Sequence, residues 1–265
     1  MTETEMPAPK VLSGGTAERI DGPSGHLYRD LGAGDSGGRG LWVPGVTTII
    51  DDVLATPPRL ADWQQRQDIA AGVDSADADD PVEAGLALAR GRRQAAMDDG
   101  TRAHAAIAEF LDGRLDDGQV LDDCQRAAAE AVAVLGVESF ACEVAGVRYG
   151  RAGMSYGGTV DMVAVDTQGR GVVVDWKTSA SEWPAEAWWR EEVQVAAYSG
   201  LSIPWAGAAA GVQRAAVVRI AADGTMRITD IDLADRWDDW CLVLALHARM
   251  RRPESPRRRV RLLTA

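Results

Sequence analysis

An acidic residue and a lysine stand two residues apart at the end of an apolar run. The run is VVVDWKTS, residues 172–179, in which Trp176 separates Asp175 from Lys177. Lysine is scarce, because the chain has 2 lysines beside 26 arginines. Side chains alternate between the two faces of a strand, so Asp175 and Lys177 are expected to share one face and Trp176 to occupy the other.

A second carboxylate lies in the preceding strand-like segment, TVDMVAV, which holds Asp161. A hairpin centred on Gln168 would place Asp161 directly opposite Asp175, with their Cβ atoms about 4.5–5.5 Å apart. Two carboxylates at that distance repel each other, and a divalent cation such as Mg²⁺ or Mn²⁺ between them removes the repulsion. This prediction depends on the register, since a slip of one residue would turn Asp161 to the other face.

An ammonium beside such a cation suits phosphoryl chemistry. Lys177 could position or deprotonate an attacking water and stabilise charge on the phosphoryl oxygens, while the metal lowers the pKa of the water. Together these groups are the parts of a phosphodiester hydrolase. A lone D-x-K sequence is more often a solvated strand end, so the interpretation depends on its neighbours.

Two further polar groups have spacings that fit this chemistry. Gln194 and Tyr198, in QVAAY, are four residues apart and therefore share one face of the helix that follows Lys177. They could hold the lysine or a DNA phosphate, or they could be surface polarity and a core tyrosine. His104, in GTRAH, lies on an alanine-rich helix as either a structural residue or a neutral imidazole ligand.

The segments before Asp161 offer weaker signals. Glu143 lies in a strand-like segment, and its carboxylate is a possible accessory group. Gly157 and Gly158 follow Tyr156 and precede the Asp161 strand. These glycines could let a phosphate backbone approach closely, or they could simply end a strand.

The segment GGTVDMVAVDTQGRGVVVDWKTS resembles the core of the PD-(D/E)XK nuclease superfamily. The subfamily that it resembles is the RecB-like exonucleases, which include phage-encoded enzymes and are related to the CRISPR-associated iron–sulfur nucleases. Gln194 and Tyr198 are similar to the Q-x-x-x-Y motif of that subfamily, and Gly100 and His104 to its G-x-x-x-H motif. VPGVTTIIDDVL and LADWQ resemble the opening of the phage enzymes, so the resemblance spans about residues 26 to 230. Each motif is weak alone, but their order and spacing are fairly specific.

The resemblance implies a fold, a site and a cofactor. The fold is an α/β or α+β core of the restriction-endonuclease type, with a central mixed β-sheet flanked by helices and a helical N-terminal part. The cofactor is Mg²⁺ or Mn²⁺. The implied catalytic residues are Asp161, Asp175, Lys177, Gln194 and Tyr198; the implied metal ligands are His104, Asp161, Asp175 and the backbone carbonyl of Trp176; the possible accessory residues are Glu143 and Gly100.

The cysteines depart from the iron–sulfur members of the family. Those members bind a cluster through four cysteines, one before the nuclease core and three near the C-terminus. This chain has 3 cysteines, Cys124, Cys142 and Cys241, which are widely spaced. We therefore expect no iron–sulfur cluster and reduced thiols.

The elements that position these residues can be outlined from the pattern. We expect disorder over residues 1–20, one nuclease domain over 21–248 and a basic tail over 249–265. Within the domain, about 51–138 should be mainly helical and about 139–232 should form the catalytic β core with the Q-x-x-x-Y helix. HLYRDL and LWVPGVTTII read as strands around a glycine-rich loop, VDSADADDPVE as an acidic loop between helices, and AAVVRIAADGTMRITDID as a hairpin turning at Asp223 and Gly224.

Charge and hydropathy limit the class of protein. The net charge of −12 argues against unspecific coating of nucleic acid but allows a nuclease. Neither a membrane-spanning run nor a secretory signal is visible, so we expect a cytoplasmic protein, in the host cytoplasm if it is phage-encoded. Seven arginines between Arg249 and Arg261 form either a solvated arm or a phosphate-binding segment.

These observations favour a Mg²⁺- or Mn²⁺-dependent DNA exonuclease of phage or bacterial recombination, repair or replication. Arginines of the helical part and the tail would contact the DNA backbone without reading bases, and a recombination or replication protein is a possible partner. Two alternatives stay open: an endonuclease or nickase with the same site, and a DNA-binding or assembly subunit that has lost catalysis.

Overall fold

The fold combines a five-stranded sheet, a smaller four-stranded sheet and six helices within the described part of the chain. A computed structural model describes residues 10–11, 17–22, 25–31, 41–56, 58–113, 122–151, 153–179, 188–203 and 211–251. The elements in chain order are β1 (Lys10–Val11), β2 (Ala17–Gly22), β3 (Gly25–Asp30), β4 (Val43–Pro44), α1 (Val46–Val53), α2 (Pro58–Asp74), α3 (Pro81–Leu111), α4 (Asp123–Leu135), β5 (Val137–Arg148), β6 (Tyr156–Asp166), β7 (Gly171–Ser179), α5 (Trp189–Ser199), β8 (Val212–Ala221), β9 (Met226–Asp230) and α6 (Leu233–Met250).

The larger sheet has the strand order β5-β6-β7-β8-β9. Its pairs are antiparallel except for β7 and β8, which are parallel and are joined through α5, because parallel neighbours need a crossover connection. Helices α1, α5 and α6 pack on one face, in a core that includes Val173, and α3 and α4 pack on the other, in a core that includes Trp176. The expected mixed sheet flanked by helices is therefore confirmed.

The β6–β7 hairpin has the predicted register. Its outermost paired residues are Met162 opposite Val174 and Val165 opposite Gly171, which centres the turn on Gln168. The ladder ends at Met162, one pair short of Asp161. The two strands therefore separate where the carboxylates begin.

Asp166 fixes the turn of this hairpin. Its Oδ1 accepts hydrogen bonds from the backbone N–H groups of Gln168 (3.0 Å) and Arg170 (2.9 Å). Its Oδ2 accepts from Arg170 Nε (2.9 Å) and from Arg214 Nη1 (3.1 Å) on β8. Although burial disfavours the charge, these hydrogen bonds hold the pKa of Asp166 below its ordinary value of 3.8.

The N-terminal part corrects two of the sequence predictions. Disorder over residues 1–20 is wrong for the strands β1 and β2, which pair with each other and lead into β3. Ala17 explains this order, because it is buried against Ala145 and Val147 of β5. The remaining residues of that range lie outside the described part of the chain.

A strand through LWVPGVTTII is also wrong beyond Pro44. Val46–Val53 is a helix although it is rich in β-branched residues. The helix is favoured because Val46, Ile49 and Ile50 fall on one of its faces and are buried in the core that α1, α5 and α6 form with the larger sheet. The glycine-rich loop, residues 32–40, lies outside the described residues.

The helical region has two long helices and one shorter helix. α2 and α3 form a hairpin around the acidic segment after Asp74, and α3 continues unbroken to Leu111, so that GTRAH belongs to it. α4 begins with a capping box between Asp122 and Gln125. None of the helices described is both long and apolar enough to cross a membrane.

The basic tail is described only in its first residues. α6 ends at Met250, and the Arg251 guanidinium lies 2.7 Å from the Asp52 carboxylate at the end of α1. Residues 252–265, which hold most of the predicted arginine-rich tail, lie outside the described residues.

The Asp166 contacts predict the stability of the hairpin. We expect Asp166→Ala to lower the midpoint of thermal unfolding clearly, because it removes the acceptor of four hydrogen bonds. Asp223→Ala is the matched control, since Asp223 sits in the β8–β9 turn and its Oδ1 accepts a hydrogen bond from the Thr225 backbone. The Asp166 effect should shrink below about pH 4, where the unfolded chain takes up the proton. Equal shifts for the two variants would contradict the role given to Asp166.

Candidate active site

Asp175 and Lys177 form a buried ion pair on β7. The Lys177 Nζ lies 2.6 Å from the Asp175 Oδ2, and the Asp175 side chain is only 2% exposed. Trp176 between them is buried in the core on the opposite face, beneath α3 and α4. The alternation predicted for this strand is therefore confirmed.

Helix α5 supplies an amide that touches both members of this pair. The Gln194 Nε2 donates hydrogen bonds to the Asp175 Oδ1 (3.2 Å) and to the Tyr198 hydroxyl (2.9 Å). The Gln194 Oε1 accepts from the Lys177 Nζ at 3.5 Å. Gln194 and Tyr198 thus share one helix face as predicted, and that face lies on the ion pair.

Gly157 and Gly158 are explained by two tyrosine rings. Both glycines are buried inside β6, so the reading that they end a strand is wrong. A Cβ on Gly158 would lie 2.8 Å from the Tyr198 ring, and one on Gly157 would lie 2.4 Å from the Tyr28 Cβ. Because glycine has no side chain, Gly157 and Gly158 leave room for a tyrosine on each face of β6.

Three potential metal ligands meet where β6 separates from β7. One ligand atom from each of His104, Glu143 and Asp161 lies within 4.8 Å of the others, and we call these residues the three-ligand cluster. The His104 Nδ1 lies 3.5 Å from the Asp161 Oδ1. The other Asp161 oxygen accepts a hydrogen bond from the Trp176 backbone N–H at 2.8 Å, which ties the cluster to β7.

Helix α3 carries His104 to this place. Gly100 lies one turn before His104 and faces β7, where a Cβ on it would be 3.8 Å from the Thr178 hydroxyl. That distance is an ordinary contact, so Gly100 favours close packing of α3 on β7 without strictly requiring glycine.

Glu143 adopts a strained backbone conformation. Its φ of 52° is the one positive φ of a non-glycine residue within the described part of the chain. Residues other than glycine, asparagine and aspartate rarely adopt this left-handed conformation, which costs roughly 1–2 kcal/mol. Its neighbours Cys142 and Val144 pair with Met162 and Val160, so the strain falls opposite Asp161. Such strain typically accumulates at functional sites, and here it occurs at a cluster residue.

Two carboxyl groups of the site hold protons tightly. Burial, and then the charge of Asp161, raises the pKa of Glu143 to about 7. Burial also raises the pKa of Asp175 to about 6, although Lys177 opposes the rise. Each would gain from a cation that replaces the proton.

In three other groups of the site the pKa shifts toward the charged form. Burial acts against ionisation in each of them, but the neighbouring charges outweigh it. The pKa of Asp161 is lowered by His104, that of His104 is raised by Asp161, and that of Lys177 is raised by Asp175.

The three-ligand cluster fits a divalent metal by its donor set. One imidazole and two carboxylates, completed by water and a phosphate oxygen, suit Mn²⁺ or Mg²⁺. Asp175 is engaged instead with Lys177 and Gln194, so its role as a ligand, like that of the Trp176 carbonyl, stays a prediction. Glu143, predicted only as an accessory, is more central in this geometry than the sequence indicated.

A second buried ion pair, which the sequence reading missed, anchors α5. Arg219 of β8 lies beside Lys177 in the parallel register, and its guanidinium pairs with Glu191, one turn before Gln194. A signal was available, because an arginine within the apolar strand AAVVRIA requires a partner if it is buried. The pair fixes the rotation of α5 and hence the direction of Gln194.

Comparisons with known proteins give only distant likenesses. No family model matches the chain, and no curated protein matches it. Among solved structures, "Crystal structure of SSO0001" has a TM-score of 0.33 and 18% identity over 49% of this chain, which spans 59% of that protein. A second, titled "Putative exonuclease" from Eubacterium rectale, has a TM-score of 0.36 and 12% identity, covering 73% of this chain and 84% of that one.

The raised carboxyl pKa values predict how metal binding depends on pH. As the pH falls, Glu143 takes up its proton around pH 7 and Asp175 around pH 6. We therefore expect Mn²⁺ to raise the midpoint of thermal unfolding more above pH 7 than below pH 6. Without metal, the raised pKa values stabilise the protein at low pH, and this stabilisation is lost as the pH rises through 6 and 7.

Glu143→Gln is the control for this dependence. This substitution removes the carboxyl with the higher pKa. The Mn²⁺-induced shift of the unfolding midpoint should therefore depend less on pH, and the change should occur at lower pH. A Mn²⁺-induced shift that is the same across this range in the unsubstituted protein would argue against the cluster as the metal site.

The backbone strain predicts an inverted order of stability at position 143. In the absence of metal, Glu143→Gly should be more stable than Glu143→Ala by roughly 1 kcal/mol, because glycine adopts positive φ without strain. At Ser139, an exposed residue of the same strand, the glycine variant should be the less stable of the two. Urea unfolding of the four variants measures both differences. The same order at both positions would show that Glu143 is not strained.

Proposed function

We propose that the protein is a Mg²⁺- or Mn²⁺-dependent DNA exonuclease that hydrolyses phosphodiester bonds. The observation that carries this proposal is that the three-ligand cluster lies next to the Asp175–Lys177 pair. The three-ligand cluster and the buried Asp175–Lys177 pair are linked by the hydrogen bond from the Trp176 N–H to Asp161. A cation site next to a buried ammonium is suited to an anionic phosphoryl substrate.

The cluster would hold the cation through His104, Glu143 and Asp161. When bound, the metal supplies a water of lowered pKa and polarises the phosphoryl oxygen. Asp161 is oriented for this by the Trp176 N–H, and His104 by its contact with Asp161. Asp175 stands one residue along β7 from Trp176 and can join the ligand set.

Lys177 would act on the phosphate as a cation. Asp175 raises the pKa of the ammonium, so the group is charged when it meets the substrate. It can therefore stabilise the negative charge that builds on the phosphoryl oxygens. Gln194 holds the ammonium and the Asp175 carboxylate at a fixed separation, and Tyr198 holds Gln194.

This site supports an active enzyme over a DNA-binding subunit that has lost catalysis. Loss of catalysis would leave a missing acid or lysine, whereas here Asp161, Asp175 and Lys177 are all present, with Lys177 paired to Asp175 and Asp161 bonded to the backbone between them. A role in DNA recombination, repair or replication, in a phage or a bacterium, follows from the family resemblance and forms part of the proposal.

The test is digestion of linear and covalently closed circular DNA with Mg²⁺, Mn²⁺ or EDTA. We expect only linear DNA to be lost, and only with a metal. Lys177→Arg should abolish cleavage, because the guanidinium is planar and larger and cannot reproduce the contacts of Nζ with Asp175 and Gln194. Circular dichroism and the Mn²⁺-induced thermal shift should stay close to those of the unsubstituted protein.

Asp175→Ala and Arg170→Lys serve as controls. The first should also abolish cleavage, and the second replaces a cation at the far end of the hairpin and should not affect it. Cleavage of closed circles would show an endonuclease with the same site. Retained cleavage by Lys177→Arg would refute the role of Lys177, and absence of cleavage with every metal would refute the proposed activity.

A further inference from the structure

The smaller sheet brings an arginine to the rim of the three-ligand cluster. Ala17 of β2 packs on Ala145 and Val147 of β5. Arg19 lies two residues further along β2 and therefore on the same face as Ala17. Glu143 lies two residues before Ala145 on β5.

Tyr28 fixes the position of this arginine. It is paired with Arg19 across β2 and β3, so the two side chains share a face. Its ring packs on Gly157, and its hydroxyl lies 3.3 Å from the Thr159 hydroxyl, two residues before Asp161. Tyr28 thus links Arg19 to β6, the strand that carries Asp161. The charge of Arg19 also opposes the rise in the pKa of Glu143, the cluster residue on β5.

A hydrogen bond from its Nε atom orients the Arg19 guanidinium. The Arg19 Nε donates a hydrogen bond to the Asp21 Oδ1 at 2.7 Å, and the His26 Nδ1 lies 2.8 Å from the same oxygen. This bond uses the nitrogen at the base of the guanidinium rather than the two terminal nitrogens. The Arg19 side chain is 29% exposed, so it is both oriented and reachable.

Like Arg19, which pairs with Asp21, several other cations of the site and of α3 are paired with carboxylates. Lys177 is paired with Asp175. Three arginines of α3 that could contact DNA are each paired with an aspartate: Arg92 with Asp74, Arg93 with Asp68 and Arg102 with Asp99. A DNA strand that places one phosphate at the cluster needs a cation for the adjacent one.

We propose that Arg19 binds the phosphate of the DNA strand next to the one that is cleaved. The inference rests on the proposed function, because it takes the cluster as the place of cleavage. The terminal guanidinium nitrogens form a planar pair that matches two phosphate oxygens. The smaller sheet then serves as a substrate-binding part of the site as well as a support for β5.

The test is the salt dependence of DNA binding, measured by fluorescence anisotropy with a labelled duplex in EDTA, where cleavage cannot occur. Each phosphate contact contributes about 0.9 to the slope of log affinity against log salt concentration. We expect Arg19→Ala to reduce that slope by about 1 and Arg19→Lys to retain it, with the Mn²⁺-induced thermal shift undiminished in both.

Arg29→Ala is the matched control. Arg29 lies on the opposite face of the same small sheet, paired with Glu18 and stacked 4.8 Å from the Trp42 ring centroid. Its removal changes the net charge equally and should leave the slope unchanged.

The outcomes separate this inference from the proposed function. An unchanged slope in Arg19→Ala, an equal reduction in Arg29→Ala, or an unsubstituted protein that binds no DNA would each overturn the role of Arg19. A protein that binds DNA with an Arg19-dependent slope but digests none under any metal would retain the phosphate contact and lose the nuclease.

Discussion

Burying a carboxylate at the end of β7 is the constraint on which the arrangement depends. The Asp175 side chain is almost completely excluded from water, and an isolated carboxylate in that environment would take up a proton. Its neighbours Lys177 and Gln194 offset the cost of burial. Since one of these comes from β7 and the other from α5, the helix must pack on the strand in a single rotation.

That requirement extends into the surrounding packing. Gln194 needs Tyr198 as an acceptor, and the Tyr198 ring needs the space left by Gly158. The rotation of α5 is fixed again by Glu191, which caps the start of the helix and pairs with the buried Arg219 of β8. A buried pair of this kind contributes less to stability than to a unique geometry, because desolvation cancels much of the attraction. The pairing of β7 with β8 therefore places Lys177 beside Arg219 in the sheet, and Gln194 of α5 contacts the Lys177 Nζ from the helix that packs on it.

The sequence predicted those parts of the site that follow from alternation and helical spacing. The register of the β6–β7 hairpin, centred on Gln168, and the shared face of Gln194 and Tyr198 both needed only local rules, and both are confirmed. The sequence could not show that the β6–β7 ladder ends at Met162, or that Glu143 is turned into the left-handed region. Neither feature follows from alternation or helical spacing, which are the local rules available in a sequence. Val46–Val53 shows the same limit, since core packing overrode its β-branched residues.

The two halves of the site differ in how completely the protein satisfies them. Around Asp175, the Lys177 ammonium and a hydrogen bond from Gln194 offset part of the cost of burial, although burial still raises the pKa of Asp175 to about 6. Around Asp161 and Glu143, burial and the charge of Asp161 raise the pKa of Glu143 to about 7, and the backbone of Glu143 is strained as well. Since folded proteins retain such local strain mainly where it serves a function, the strain at Glu143 supports the proposal that the three-ligand cluster holds a cation, while the Asp175 half positions the lysine. The hydrogen bond from the Trp176 N–H to Asp161 couples the two halves, so the backbone of β7 helps to set the distance between the three-ligand cluster and the Lys177 ammonium.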